Sequence, residues 1–284
     1  MSDKEIQEQV MDIFGCHLSP DMISDITDKI IPEIQDWQKR RLDSVYPVVF
    51  IDATHFSVRD NGQVVKKAAY VVLAIDKDGF KKVLNIVIGE NESSKYWMNI
   101  LTDLKNRGVA DILIMCADGL TGLKEAVGAI YPNAELQTCI VHKIRNSLKY
   151  VPHKDKRELA NDLKTVYTAP NEEIAYTNLL EIDNKWKCKY PGATGSWIDS
   201  WDVVSVFFKF PKELRKIMYT TNAIESLNST YKRINRNRPV FPTNTSLLKV
   251  LYLATLRAEK KWTWRQDEWA LILNQLKIVY EGRI

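Results

Sequence analysis

A chain of 284 residues with 45% hydrophobic and 10% aromatic content, 11 glycines and 10 prolines excludes a disordered or low-complexity protein. It has the length for one large domain with an insertion or for two ordinary ones. The net charge is +4, from 40 Lys and Arg against 36 Asp and Glu, which excludes a strongly polycationic or polyanionic chain.

No apolar run approaches the roughly 20 residues needed to span a bilayer, and the opening MSDKEIQEQV lacks the basic-then-apolar order of a secretory signal. No membrane partner is expected, and the expected location is cytoplasmic. Cys16, Cys116, Cys139 and Cys188 form no CxxC pair, which suits reduced thiols better than a disulfide scaffold. The distribution of charge says more than its sum. Residues 209–238 gather eight bases (Lys209, Lys212, Arg215, Lys216, Lys232, Arg233, Arg236 and Arg238) around two acids, Glu213 and Glu225.

In chain order, Ile6, Val10, Met11 and Phe14 keep helical spacing up to Gly15, and Ser19-Pro20 caps and starts a second helix. The outline is helix-turn-helix. Its second helix carries Asp21, Asp25 and Asp28, so packing or dimerisation is expected of it rather than base reading.

From Tyr46 the pattern turns to strands: Pro47–Asp52, Ala68–Ile75 and Lys82–Ile88, divided by the turn sequences Asp60-Asn61-Gly62 and Asp76-Lys77-Asp78-Gly79. These predict a three-stranded antiparallel meander. A helix is expected from Ser94 to Arg107, closed by Gly108, with Trp97, Ile100, Leu101 and Leu104 on one face. A buried strand follows at Asp111–Ala117, then a helix over Thr121–Ile130, a strand over Leu136–Val141 and a helix over Lys143–Tyr150. Pro152 to Lys216 is helical in pattern and rich in Trp. From Thr221 onward the chain is expected to be helical, packed down by Trp262, Trp264 and Trp269.

This order predicts an α/β fold of the ribonuclease-H-like kind, a mixed sheet with an all-helical insertion and helical terminal segments. The expected division is an N-terminal helical segment over 1–43, the first part of the core over 44–151, the insertion over 152–216, and the helical completion over 217–284.

Asp52 and Asp118 each follow directly on an apolar strand. If the first and fourth strands are parallel neighbours, both carboxylates reach one edge of the sheet, where open α/β sheets bind ligands. Two close carboxylates repel unless a cation lies between them, and hard oxygen donors suit Mg²⁺ or Mn²⁺. Either residue alone favours a turn or strand-end acid, and the argument for chemistry rests on the pair. Glu225 also has a structural alternative, because Asn222-Ala223-Ile224-Glu225 has the spacing of a capping box. Ile224, Leu227, Tyr231 and Ile234 form an apolar stripe, whereas Glu225, Ser229, Lys232 and Arg236 fall together on another face. A metal-binding carboxylate followed by phosphate-binding bases is what phosphoryl transfer on DNA needs.

Four segments, Tyr46–Thr54, Cys116–Gly122, Cys139–His142 and Tyr219–Asn228, resemble the Mutator-like family of bacterial insertion-sequence transposases. The likeness extends over nearly the whole chain. It implies an Asp-Asp-Glu triad of catalytic, metal-binding residues matching Asp52, Asp118 and Glu225, and an all-helical insertion between the second Asp and the Glu. The implied partners are transposon terminal repeats and target DNA, with the chain acting as a homo-oligomer. The implied reaction is cleavage at element ends followed by strand transfer, and two-metal phosphoryl transfer is the expected mechanism. Tentative DNA contacts are His142, Trp201, Ser229, Lys232, Arg233 and Arg236.

Cys139-Ile140-Val141-His142 has the spacing of half a zinc site, but no second pair lies nearby in sequence. Trp201 resembles a position where related enzymes keep a Trp that could stack on an unpaired base, and core packing is its competing role. Members of the family begin with a further region that binds terminal repeats, and this sequence opens within what resembles the end of it. A second expectation is therefore a non-catalytic DNA-binding or dimerising remnant that modulates a full-length transposase.

Overall fold

A computed structural model describes residues 27–89, 93–219 and 222–284, the last stretch without the side chains of Asn222 and Ala223. The expected helix-turn-helix lies outside the described residues.

Helix α1 (Ile31–Lys39) leads into β1 (Val45–Asp60), β2 (Gln63–Ile75) and β3 (Lys81–Gly89), then α2 (Ser94–Asn106), β4 (Asp111–Ala117), α3 (Leu123–Ile130), β5 (Glu135–Thr138) and α4 (Ile140–Lys149). The helical stretch comprises α5 (His153–Tyr167), α6 (Glu172–Trp186), the short α7 (Gly195–Asp199) and α8 (Trp201–Val204), and α9 (Lys212–Tyr219). It is followed by α10 (Asn222–Asn237), a two-residue β6 (Val240–Phe241), α11 (Asn244–Glu259) and α12 (Trp269–Val279).

The fold is mixed α/β. Its six-stranded sheet runs β3-β2-β1-β4-β5, with β6 joining β1. The expected meander is present, β1 to β2 and β2 to β3 being antiparallel. The β1–β2 turn uses Asn61 at φ 47° and Gly62 at φ 80°, two positive values in succession that only a short polar residue and glycine take readily. In the β2–β3 turn, Gly79 sits at φ +87°, and a Cβ there would come within 2.5 Å of Trp269 Cγ. Trp269 covers this turn and donates its indole N–H to the Lys77 carbonyl at 2.8 Å.

The sheet separates two apolar layers. Val49, Ile51, Val72, Trp97, Leu101, Leu104, Met115 and Leu123 pack with α2 and α3 on one face, while Val48, Phe50, Phe56, Val71, Leu159, Trp197, Leu227 and Leu251 pack with the helical stretch, α10 and α11 on the other.

Three expectations need correcting. The first strand does not stop at Asp52 but continues to Asp60, because Phe56 and Val58 stay buried while His55 and Arg59 do not, an alternation that keeps the hairpin paired to its turn. The fifth strand ends at Thr138, and Ile140 and Val141 begin α4 instead. The C-terminal part includes a strand, β6, whose Phe241 packs edge-on against Phe56. Of the three C-terminal tryptophans, Trp269 is buried and Trp262 partly so, but Trp264 is 84% exposed. Among the described residues, no helix is long and apolar enough to cross a membrane.

Candidate active site

The placement of Asp52 follows from two strand pairings on one edge of β1. Strand β4 runs parallel to β1 over Val45–Ile51, with Ile51 opposite Ala117, and β6 pairs only at Ser57 and Val58. Between them β1 has no strand neighbour on that edge. Asp52 enters this gap, and Asp118 is the first residue past Ala117 on the adjoining strand. The parallel adjacency expected of the two strands is thus present, and it brings the two carboxylates together. Strand alternation sets Asp52 on the face of Phe50 and Phe56, under α10.

Helix α10 covers the gap with two carboxamides set two turns apart. The Asn228 side chain donates to Asp52 Oδ2 and accepts from the Thr54 hydroxyl at 3.2 Å. Asn235 donates to the His55 carbonyl at 3.1 Å. Open strand carbonyls and a buried carboxylate need partners, and these amides supply them. Neither asparagine was singled out from the sequence. Their signal was there, since positions 228 and 235 sit seven apart on the helix, but an Asn on a helix reads as an ordinary polar residue until its partner is known.

Helix α4 closes the site from another side. His142 Nε2 stands 3.6 Å from Asp52 Oδ1, and Arg145 Nη2 stands 2.7 Å from Glu225 Oε1. His142 and Arg145 are three residues apart and share a helix face, so Glu225 and Asp52 are gripped by successive turns of α4. Glu225 Oε1 is shielded from solvent, and the Arg145 contact lies outside hydrogen-bond geometry, so we read it as an ion pair and not as a directed bond.

Asp52 is 8% exposed. Burial pushes its carboxyl above the usual range and the charge of Asp118 adds to this, while His142, the Ala53 N–H and Lys232 oppose it. The Ala53 amide donates to Oδ1 at 2.8 Å. Asp118 is more open, its Oδ1 accepting from the Gly119 N–H at 2.9 Å.

Cys139, at the N-cap of α4, is half-buried, and loss of solvent around its thiol raises it to about 11. Among the described residues, no group of three His, Cys, Asp or Glu side chains is close enough to hold a metal ion. The donor chemistry nonetheless fits a hard divalent cation. Asp52 and Asp118 are oxygen donors at adjoining strands, the charge of Asp118 raises the cost of ionising Asp52, and the partly exposed Glu225 carboxylate already faces a cation, Arg145.

The proposed DNA contacts separate in space. Lys232 acts electrostatically on Asp52, whereas Ser229, Arg233 and Arg236, with Ser226 and Thr230, line a shallow cavity of about 310 Å³. Ser229 and Arg236, two of the four residues read as one face with Glu225 and Lys232, share that cavity, and Lys232 is exposed like Arg236. Trp201 is half-buried against Tyr176 and Phe208, with ring centroids 5.2 and 6.1 Å away.

The family model described as Transposase, Mutator family, matches residues 1–266. The chain belongs to the Mutator family of transposases. Among relatives of this Mutator-family chain, the transposase for insertion sequence element ISRM3 of Rhizobium meliloti is 40% identical over 284 residues, covering all of this chain and 71% of the relative. A probable insertion-sequence transposase of Corynebacterium diphtheriae is 38% identical over 303 residues, covering all of this chain and 88% of the relative. The Drosophila P element transposase strand transfer complex superposes over 98% of the Mutator-family chain and 91% of its own at 9% identity, with a TM-score of 0.32, too loose a match to argue from.

Proposed function

We propose that the chain is the catalytic part of an Asp-Asp-Glu transposase with a ribonuclease-H-like core, cutting DNA at the ends of a mobile element and joining them to a target. The observation that carries this reading is the meeting of Asp52 and Asp118 at the gap in β1, with Glu225 held on the neighbouring helix. Family membership supports the reaction class.

Asp52, Asp118 and Glu225, the last released from Arg145, would hold Mg²⁺ or Mn²⁺, which when bound makes water or a 3′ hydroxyl a better nucleophile and stabilises a leaving oxygen. The chain's own residues do the positioning. Asn228 fixes the plane of the Asp52 carboxylate and Ala53 N–H holds its other oxygen, so both oxygens are oriented before DNA arrives. His142 supports Asp52 from α4. Lys232, close enough to act on Asp52, places positive charge where a scissile phosphate would lie. Ser229, Arg233 and Arg236 hold the backbone further out, and DNA of transposon ends and target is the partner; a homo-oligomer fits a reaction at two ends.

The test is nicking and strand transfer by purified protein on DNA carrying the element's terminal repeats. Asp52→Asn and Asp118→Asn are expected to abolish both while the protein still folds and melts cooperatively. Equal activity in the Asp52→Asn variant would refute the assignment.

A further inference from the structure

Asp118 lines the edge of a cleft of about 790 Å³ whose walls come from α4 and from the α7–α8 segment. Lys143, Asn146, Lys149 and Tyr150 of α4 and its end line it in sequence from the catalytic edge outward, and Ser196 and Ser200 face them. Lys143 spans the cleft floor, donating to the Ser196 carbonyl and the Ser200 hydroxyl at 2.6 Å each. The mouth is formed by Tyr150, which is 59% exposed. Its ring lies on Gly192, where any Cβ would come within 2.5 Å of Tyr150 Cδ1. An aromatic ring backed by bare main chain and open to solvent on its other side is a stacking platform that core packing does not account for.

Charge and shape narrow the occupant. Two lysines within a cleft that opens beside a catalytic carboxylate favour an anionic chain, and an aromatic face favours a base. The volume is that of a small-molecule site, roughly 300–1,000 Å³, which suits one or two unstacked nucleotides and not a duplex. We propose that this cleft binds an unpaired stretch of the DNA strand next to the scissile phosphate, with Lys149 on a phosphate and Tyr150 stacked on a base. This rests on the transposase reading above and adds a route for the strand as it leaves the active site along α4.

Binding of the full chain to a short dye-labelled oligothymidylate and to a blunt duplex, followed by fluorescence anisotropy with Ca²⁺ in place of Mg²⁺, tests it. Tyr150→Ala is expected to weaken the single strand roughly 5- to 150-fold, the range carried by one base stacked on an aromatic ring, and the duplex less than about twofold. Tyr150→Trp retains binding. A single strand carrying 2-aminopurine should be quenched by the wild type and not by Tyr150→Ala, a signal that loss of general positive charge would not produce. Unchanged single-strand affinity in Tyr150→Ala, equal losses on both probes, or no single-strand binding by the wild type would each overturn the proposal. Nicking that survives Asp52→Asn would instead strike the transposase reading, and leaves these binding measurements to stand or fall separately.

Discussion

The Asn228 carboxamide joins Asp52 Oδ2 to the Thr54 hydroxyl, linking helix α10 to an unpaired edge of β1 across 176 residues of sequence. A helix whose hydrophobic stripe only seats it on the sheet thereby also sets the orientation of a buried carboxylate. Hydrogen bonds to charged groups are worth about 1.5–3 kcal/mol. Asn228→Ala should therefore reduce nicking roughly 10- to 100-fold if the full orientation is used in the transition state. Kinetics on end-containing DNA, beside a melting curve, measure this; a variant that melts normally and nicks at the wild-type rate would show the amide to be structural only.

Asp52 also gives a pH dependence of defined sign. Burial raises its carboxyl above the unfolded value, so the folded state holds a proton that the unfolded chain has already released, and stability falls as pH rises through that window. The penalty is absent below the ordinary carboxylate range and complete above the raised folded value. Without divalent cations, Asp52→Asn should melt higher than the wild type at neutral pH, with the gap closing as pH falls below about 3.9. Thermal scans across pH in EDTA read it directly. A gap that widens on acidification contradicts the burial account.

Arg145 stands against Glu225 as a built-in cation. Both side chains are partly exposed, so the pair contributes at most about 1 kcal/mol, and Arg145→Ala should shift melting by no more than roughly 4 °C. It should also tighten Mn²⁺ binding by up to about fivefold, because the ion no longer competes for the carboxylate. Titration calorimetry would measure the affinity, and weaker Mn²⁺ binding would show that Arg145 preorganises the site instead.

At the opposite end of the sheet, Gly79 combines φ +87° with the close approach of Trp269. Gly79→Ala should cost roughly 2–4 kcal/mol, from left-handed strain plus displacement of the indole, and lower the melting temperature by roughly 5–15 °C. The loss should appear without a change in DNA affinity.

The cysteines give a simpler check. Cys139 is raised to about 11 and Cys116 is buried, whereas Cys188 is exposed. Iodoacetamide at pH 8 should label Cys188 and spare Cys139 and Cys116 in the folded chain, read by peptide mass mapping. Rapid labelling of Cys139 would reopen the metal-ligand reading of its CxxH motif.

The meander, the helix from Ser94 and the strand ending at Ala117 were legible because apolar alternation, glycine turns and continuous apolar runs are local signals. Asp52 and Asp118 were legible for the same reason, as acids adjoining such runs. The continuation of β1 past Asp52 was written in the alternation of His55, Phe56, Ser57 and Val58, and it was obscured by the polar character of the exposed half. Strand β6 carried almost no local signal, being two residues whose strand state depends on finding Ser57 and Val58.

By itself, then, the order of residues determined most element types, the two acids that follow apolar runs and the family motifs, since these depend on periodicity and on neighbours within a few positions. Only the tertiary structure decided that Asn228 reaches Asp52, that Arg145 stands against Glu225, and that Tyr150 rests on Gly192. Each of these joins residues distant in sequence through a gap, a crossing helix or a bare stretch of backbone. Such contacts form when separate apolar faces are buried against one sheet, and no local pattern encodes which polar groups that burial leaves face to face.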